Sequence, residues 1–211
     1  MVHKHPRTAH LPWSPGVSRD DKVIDSIDVF VDKEIIISVK MDGECTSLYK
    51  EKVHARSTTY SPHPSRSWIK SLHANISNDI PKGWRIVGEN LYAKHSIKYN
   101  NLDSYFLVFA IFNEKNICLS WADTKTYSIL LGLQTVPVLY KGIWSTDKVK
   151  KSFSKEHAGD PMEGYVVRLA NEFPYNEYSQ NVAKHVRADH IQTDEHWMYR
   201  PIELNQLKKS T

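Results

Sequence analysis

The chain has 211 residues, 40% of them hydrophobic and 11% aromatic, with 28 basic residues against 24 acidic ones. That length predicts one domain able to bury roughly 70% of its unfolded surface, and that apolar content excludes disorder as the main state. A net charge of +4 admits a polyanionic partner but excludes the charge density of a histone-like binder.

The N-terminal run MVHKHPRTAH lacks the apolar core of a secretory signal, and no stretch approaches the roughly 18 apolar residues of a membrane span. Prolines at 6, 12 and 15 mark an irregular start, and His10–Gly16 (HLPWSPG) reads as a rigid turn. Cys45 and Cys118 form no CxxC pair and read as free thiols of a reducing compartment, so a cytoplasmic protein is expected. Glu34–Lys40 (EIIISVK) is a β-branched run that ends at Asp42-Gly43. It predicts a buried strand turning sharply there, with Thr46–Ser57 returning as one or two antiparallel strands.

Further along, Trp68, Ile69, Leu72 and Ile76 fall at helical spacing. Trp84–Leu91 and Tyr105–Asn113 read as strands, the second buried on both faces. Ser120–Leu131 reads as a helix with Ser120 as its N-cap and Gly132 just past its end. Val136–Trp144 predicts a strand and Thr146–Phe153 a lysine-rich helix, and strands follow at Gly164–Leu169 and Asn181–Arg187. Helices interrupt strands without strict alternation, which predicts an α+β fold with largely antiparallel sheets.

The sequence contains no GxxxxGK[ST], GxGxxG, GxSxG or HExxH. His185, His190 and His196 lie near one another but lack cysteine partners and ligand spacing, so they are read as hydrogen-bonded side chains. Lys40-Met41-Asp42-Gly43 places a lysine at the end of an apolar strand. Taken alone, that fragment reads as a lysine reaching solvent before a hairpin. A lysine that attacks phosphorus needs its pKa depressed from about 10.4, by burial or by nearby cations.

Lys40–Gly43 resembles the adenylylation motif of the covalent nucleotidyltransferases: ATP-dependent RNA and DNA ligases and mRNA capping enzymes. Five later segments resemble that superfamily's other motifs, in its order: His54-Ala55-Arg56-Ser57, Val87–Asn90, Phe106–Ile111, Glu163–Arg168 and Val182–Arg187. The likeness is greatest to the compact RNA ligases of phage and bacteria (the RNA ligase 2 branch), where segments like His10–Gly16 and Gln192–Trp197 also occur.

The resemblance implies one nucleotidyltransferase (ligase adenylation) domain over residues 1–211, with antiparallel sheets flanked by helices. It implies that Lys40 is the nucleophile, with Val39 beside it in the nucleotide site. Arg56 contacts phosphate, Glu89 accepts from the ribose hydroxyls, and Phe109 stacks on the purine. Glu163 serves Mg²⁺ or Mn²⁺, and Lys184 holds the α-phosphate. Lys184 and the metal would also depress the pKa of Lys40. Taken alone, Phe109 reads as core packing, and Arg56 and Lys184 as exposed cations.

Two departures stand out. The last motif of the family often has a second lysine, where this chain has Val186, and Arg187 falls on the opposite face of a strand. Only 24 residues follow Arg187, too few for the OB domain that DNA ligases and capping enzymes append.

The function implied is an ATP-dependent RNA ligase for RNA repair. It forms lysyl-AMP, passes AMP to an RNA 5′-phosphate and seals that end to a 3′-hydroxyl, acting as a monomer with no membrane partner. The alternatives are a DNA nick ligase, a capping guanylyltransferase, a non-catalytic nucleic-acid end-binding module and a histidine-rich metal protein.

Overall fold

The structure, a computed structural model, describes residues 2–57, 63–188 and 201–209. His190, His196 and the Gln192–Trp197 segment lie outside the described residues. The chain runs β1 (Ala9–His10), β2 (Glu34–Lys40), β3 (Glu44–Leu48), β4 (Val53–Ala55), α1 (Ser67–Ile76), β5 (Arg85–Asn90), β6 (Phe106–Phe112) and β7 (Ile117–Cys118). It continues through α2 (Trp121–Leu130), β8 (Gln134–Thr135), β9 (Val138–Ile143), α3 (Thr146–Lys151), β10 (Glu156–His157), β11 (Asp160–Pro161), β12 (Gly164–Leu169), β13 (Phe173–Pro174), α4 (Tyr178–Asn181) and β14 (Val182–Val186).

The strands form two main sheets, and β10 pairs with β11 apart from them. Sheet A has the order β1-β14-β12-β2-β9, and sheet B the order β13-β7-β6-β5-β3-β4 with β8 beside β6. Pairing is antiparallel except at β1–β14 and β6–β8. The α+β expectation with largely antiparallel sheets is therefore borne out.

Sheet A grows from β2, whose Ile35, Ile36 and Ile37 are all fully buried. A strand buried on both faces needs an unbroken apolar run, and EIIISVK supplies one. The outer face of sheet B carries Leu48, Ile86, Phe106 and Val108 against Ile69 and Ile76 of α1, so the residues that repeat at helical spacing are the ones that seat the helix. Ser120 caps α2 by accepting from the Asp123 amide at 3.1 Å, and Gly132 follows the helix at φ +67°, as a C-terminal glycine should.

One expectation is corrected. Asp42-Gly43 does not close a hairpin: β2 pairs with β12 and β9 in sheet A, whereas β3 pairs with β4 and β5 in sheet B. At Met41–Gly43 the chain crosses between sheets. The Asp42 carboxylate fixes the crossing by accepting from the Ser96 and Ile97 amides, both at 2.7 Å. Gly43 is required because a Cβ there would lie 2.5 Å from the Asn90 carbonyl oxygen. Lys40 consequently points into the space between sheets rather than out to solvent.

His10–Gly16, which the sequence left without a role, lies along the free edge of β14. The Leu11 amide donates to the Lys184 carbonyl at 2.7 Å, and the Gly16 amide to the Val186 carbonyl at 2.9 Å. Trp13 Nε1 donates to the Tyr165 hydroxyl at 3.0 Å. Covering that edge satisfies its amides and carbonyls and blocks strand addition.

The tightest point of sheet A is Gly164, where a Cβ would come within 1.9 Å of the His185 carbonyl oxygen. Gly164→Ala is expected to destabilise the fold by about 3 kcal/mol or more, since backbone would have to move. Chemical denaturation of the variant and wild type measures the loss.

Candidate active site

The inner faces of the two sheets enclose a cavity of about 760 Å³, within the range of small-ligand sites. Sheet A contributes Ser38, Lys40, Val166, Arg168, Val182 and Lys184; sheet B contributes Cys45, Glu89 and Phe109. Strand register explains the convergence. Val166 pairs with both Ser38 and Lys184, and Gly164 pairs with both Lys40 and Val186. Side chains alternate along a strand, so Lys40 and Lys184 share one face, with β12 between them.

At the centre, Lys40 Nζ donates to Glu163 Oε2 at 2.6 Å, with the Lys40 side chain 25% exposed and that of Glu163 5%. Burial pulls the Lys40 pKa down, but Glu163, Glu89 and Asp42 outweigh it and leave the pKa raised. The expected depression of this pKa relied on a divalent ion as well as on Lys184; among the protein's own groups the carboxylates prevail. Lys184 does share the face, but three carboxylates act on Lys40 against that one cation. Lys40 is therefore a protonated, hydrogen-bonded ammonium in this state of the protein.

Glu89 approaches from sheet B, accepting from the Gly43 amide at 3.2 Å. Burial raises its pKa to about 8 against the pull of Lys40. Phe109 lines the cavity at an irregularity of β6. Val87 pairs with Ala110 but Gly88 pairs with Val108, which leaves Phe109 as the extra residue of a β-bulge. Leu107, the partner of Glu89, and Phe109 share a face by strand alternation, and the bulge switches the faces of the residues that follow.

Arg168 secures the bulge from the facing sheet. Its guanidinium donates to the carbonyls of Phe109 at 3.4 Å, Leu119 at 2.7 Å and Leu169 at 3.1 Å. Val39 is 4% exposed and reaches the cavity wall from the opposite side of β2. Arg56 is exposed at the rim, its amide bound to the Cys45 carbonyl at 2.8 Å. Val186 is buried against Gly16, so a second lysine there would lose its solvation. Arg187 follows it with its amide on the Glu163 carbonyl at 3.0 Å.

Sequence reasoning missed the partners of Lys184. Its Nζ lies 3.4 Å from Asp21 Oδ1, and Asp21 Oδ2 lies 3.3 Å from His10 Nε2. Burial lowers the Lys184 pKa and the charge of Lys40 adds to this, while Asp21 works the other way. Asp21 resists its own burial through the hydroxyl and amide of Ser18 and the charge of Lys184, which hold it at about 2. Nothing local marks these residues, because Asp21 and Lys184 are 163 positions apart. His185, the described member of the histidine group, stacks on Tyr165 at 4.8 Å.

No group of three or more His, Cys, Asp or Glu among the described residues forms a ready-made metal cage. Glu163 and Glu89 nonetheless offer hard oxygen donors, and Mg²⁺ is commonly held by one or two carboxylates together with substrate phosphates. The donor set fits a divalent ion that arrives with a nucleotide.

A cavity between two mainly antiparallel sheets, with a motif lysine at its centre, defines the nucleotidyltransferase fold class. The RNA ligase family model matches residues 33–186, and the chain belongs to that family. Solved structures of a Naegleria gruberi RNA ligase share the fold. One variant with ATP and manganese has a TM-score of 0.59 at 13% identity, covering 90% of this chain and 57% of that one. A second with ATP and manganese gives 0.58 at 12%, covering 91% and 62%. A third with AMP and manganese gives 0.56 at 12%, covering 79% and 53%. The chain thus spans little more than half the length of those relatives. No curated protein matches it significantly, and no helix among the described residues is long and apolar enough to cross a membrane.

The state of Glu89 has a consequence for stability. Its pKa in the folded chain lies above the unfolded value, so its protonated carboxyl contributes fully below about pH 4.5. That contribution is lost as pH rises through about 8. Glu89→Gln is expected to remove this decline and be the more stable protein at pH 8, as denaturant titrations from pH 5 to 8.5 would measure.

Proposed function

We propose that this protein is an ATP-dependent RNA ligase that adenylylates itself on Lys40, with residues 1–211 acting as one adenylation unit. The observation that carries the reading is the Lys40–Glu163 contact at 2.6 Å inside a cavity shared with Lys184, Glu89 and Phe109. Family membership and the ATP- or AMP-bound relatives support the choice of nucleotide.

In the proposed first step, the Lys40 amine attacks the α-phosphorus. The ammonium first loses one proton to solvent; then a P–N bond forms, the P–O bond to pyrophosphate breaks, and the nitrogen gives up a second proton. Glu163 Oε2 orients Nζ and is the acceptor within reach of that proton. Lys184, on the same face across β12, neutralises charge building on the phosphoryl oxygens, the usual main contribution in phosphoryl transfer. Asp21 keeps Lys184 placed until phosphate competes for it.

Glu89 offers carboxyl oxygens to the ribose hydroxyls, and Phe109 offers a ring face to the purine. Glu163, aided by Glu89, would hold Mg²⁺ or Mn²⁺. When bound, that ion supplies the positive charge that the carboxylates now deny Lys40. AMP then passes to an RNA 5′-phosphate near the exposed Arg56, and a 3′-hydroxyl displaces it.

Sealing of 5′-phosphate and 3′-hydroxyl RNA ends with ATP and Mg²⁺ or Mn²⁺ tests the reading. Lys40→Ala should abolish sealing with ATP, yet seal RNA supplied with a 5′-adenylate, because only the first step uses the amine. Lys184→Ala should slow adenylylation about a hundredfold, the size of a lost charge-stabilising group. Sealing by Lys40→Ala with ATP, or preferential sealing of DNA nicks, would overturn the assignment.

A further inference from the structure

The excess positive charge of this chain is concentrated in one short stretch. Residues 141–155 hold five lysines (Lys141, Lys148, Lys150, Lys151 and Lys155) against Asp147 alone. That is a net +4, the formal net charge of the whole protein, so basic and acidic residues balance everywhere else. All five lysines are exposed, and none of them lines the cavity that contains Lys40. Lys141 lies 3.7 Å from Glu34, whereas the other four have no ion pair among the described residues.

The lysines stand on a firm platform. Ser145 caps α3 by accepting from the Lys148 amide at 3.5 Å, and Val149 is fully buried in the core against which Trp144 and Phe153 pack. Lys150 lies over the Trp13 ring, 5.0 Å from its centroid, and Lys148 over Tyr140 at 5.2 Å. Lys148 and Lys151 are three positions apart and so share one face of α3. Like charges so spaced repel one another, and a polyanion relieves the repulsion.

The same stretch leads to the reacting centre. The Lys155 carbonyl accepts from the Met162 amide at 3.0 Å. Met162 is bonded to Glu163, the residue that contacts Lys40. A nucleic acid whose end lies at Lys40 therefore has a basic track within reach of its flanking phosphates.

We propose that Lys148, Lys151 and Lys155 bind the phosphodiester backbone of the RNA whose end is being sealed, outside the nucleotide cavity. The inference rests on the ligase function proposed above. Contacts of this kind position a nucleic acid without reading its sequence, and each one adds to the salt dependence of binding.

Fluorescence anisotropy of the full chain without ATP, on a 5′-phosphorylated RNA strand and on a nicked RNA duplex over a range of salt, tests it. The combined variant Lys148→Gln, Lys151→Gln and Lys155→Gln is expected to bind about tenfold or more weakly, with a log–log salt slope lower by about 2, at ~0.7 for each lost contact. Its self-adenylylation with ATP and Mg²⁺ should equal that of wild type, because the first step needs no RNA, and this also reports an intact fold. A second variant, Lys52→Gln, Lys82→Gln and Lys115→Gln, removes the same charge from exposed positions elsewhere and should bind RNA like wild type.

Undiminished RNA affinity in the first variant, a matching loss of its self-adenylylation, or an equal loss of affinity in the second variant overturns the inference. The face would then belong to an acidic protein partner or to solvent. Wild type that takes up AMP but binds neither RNA overturns the inference alone. Wild type that binds neither RNA and takes up no AMP overturns the function and the inference together.

Discussion

Everything at the centre of this molecule follows from one antiparallel register, in which Gly164 of β12 lies opposite Lys40 of β2 and opposite Val186 of β14. That register puts Glu163, the residue before Gly164, within 2.6 Å of the Lys40 amine. It also sets Lys184 on the face of Lys40 with only β12 between. Glycine is what permits it, since the His185 carbonyl occupies the place of a Cβ. A one-residue slip would turn either lysine to the opposite face, so the charge arrangement and the packing of sheet A are specified by the same contacts.

The second requirement is that two sheets face each other across a gap. The crossing at Met41–Gly43 carries the chain from one to the other directly after Lys40, and Asp42 pins it to the loop that holds Ser96 and Ile97. A C-terminal segment supports that loop in turn. Asn205 accepts from the Tyr99 amide at 2.9 Å and donates to the Leu91 carbonyl at 2.8 Å. Arg168 ties the sheets at the far end, reaching from β12 to the backbone of β6 and of Leu119. The cavity is thus held at both ends by polar contacts between sheets, while apolar residues fill the outer layers.

Much of this was legible in the sequence because the signals were local. EIIISVK is a buried strand by composition, Ser120 and Gly132 bracket a helix, and the motif residues fall within short segments in a fixed order. Three features were not legible. The bulge at Phe109, which switches the faces of the residues after it, depends on a register shift between β5 and β6, to which neither strand's own sequence is sensitive. The pairing of Lys184 with Asp21 is made by a contact spanning more than 160 residues. The raised pKa of Lys40 in the protein alone was not legible either, because sequence order shows which charges exist but not how many carboxylates converge on one amine.

That charge balance gives the account its central claim. Lys40 rests protonated among carboxylates and, on the function we propose, becomes a nucleophile only when a nucleotide and its metal alter the field around it. Peptide mapping by tandem mass spectrometry, after incubation with ATP and with Mg²⁺ present or withheld, addresses this most directly. The account predicts one adenylyl group, on Lys40 alone, formed with the metal and not without it. An adenylyl group on another residue, or one that forms equally well with the metal withheld, would contradict it.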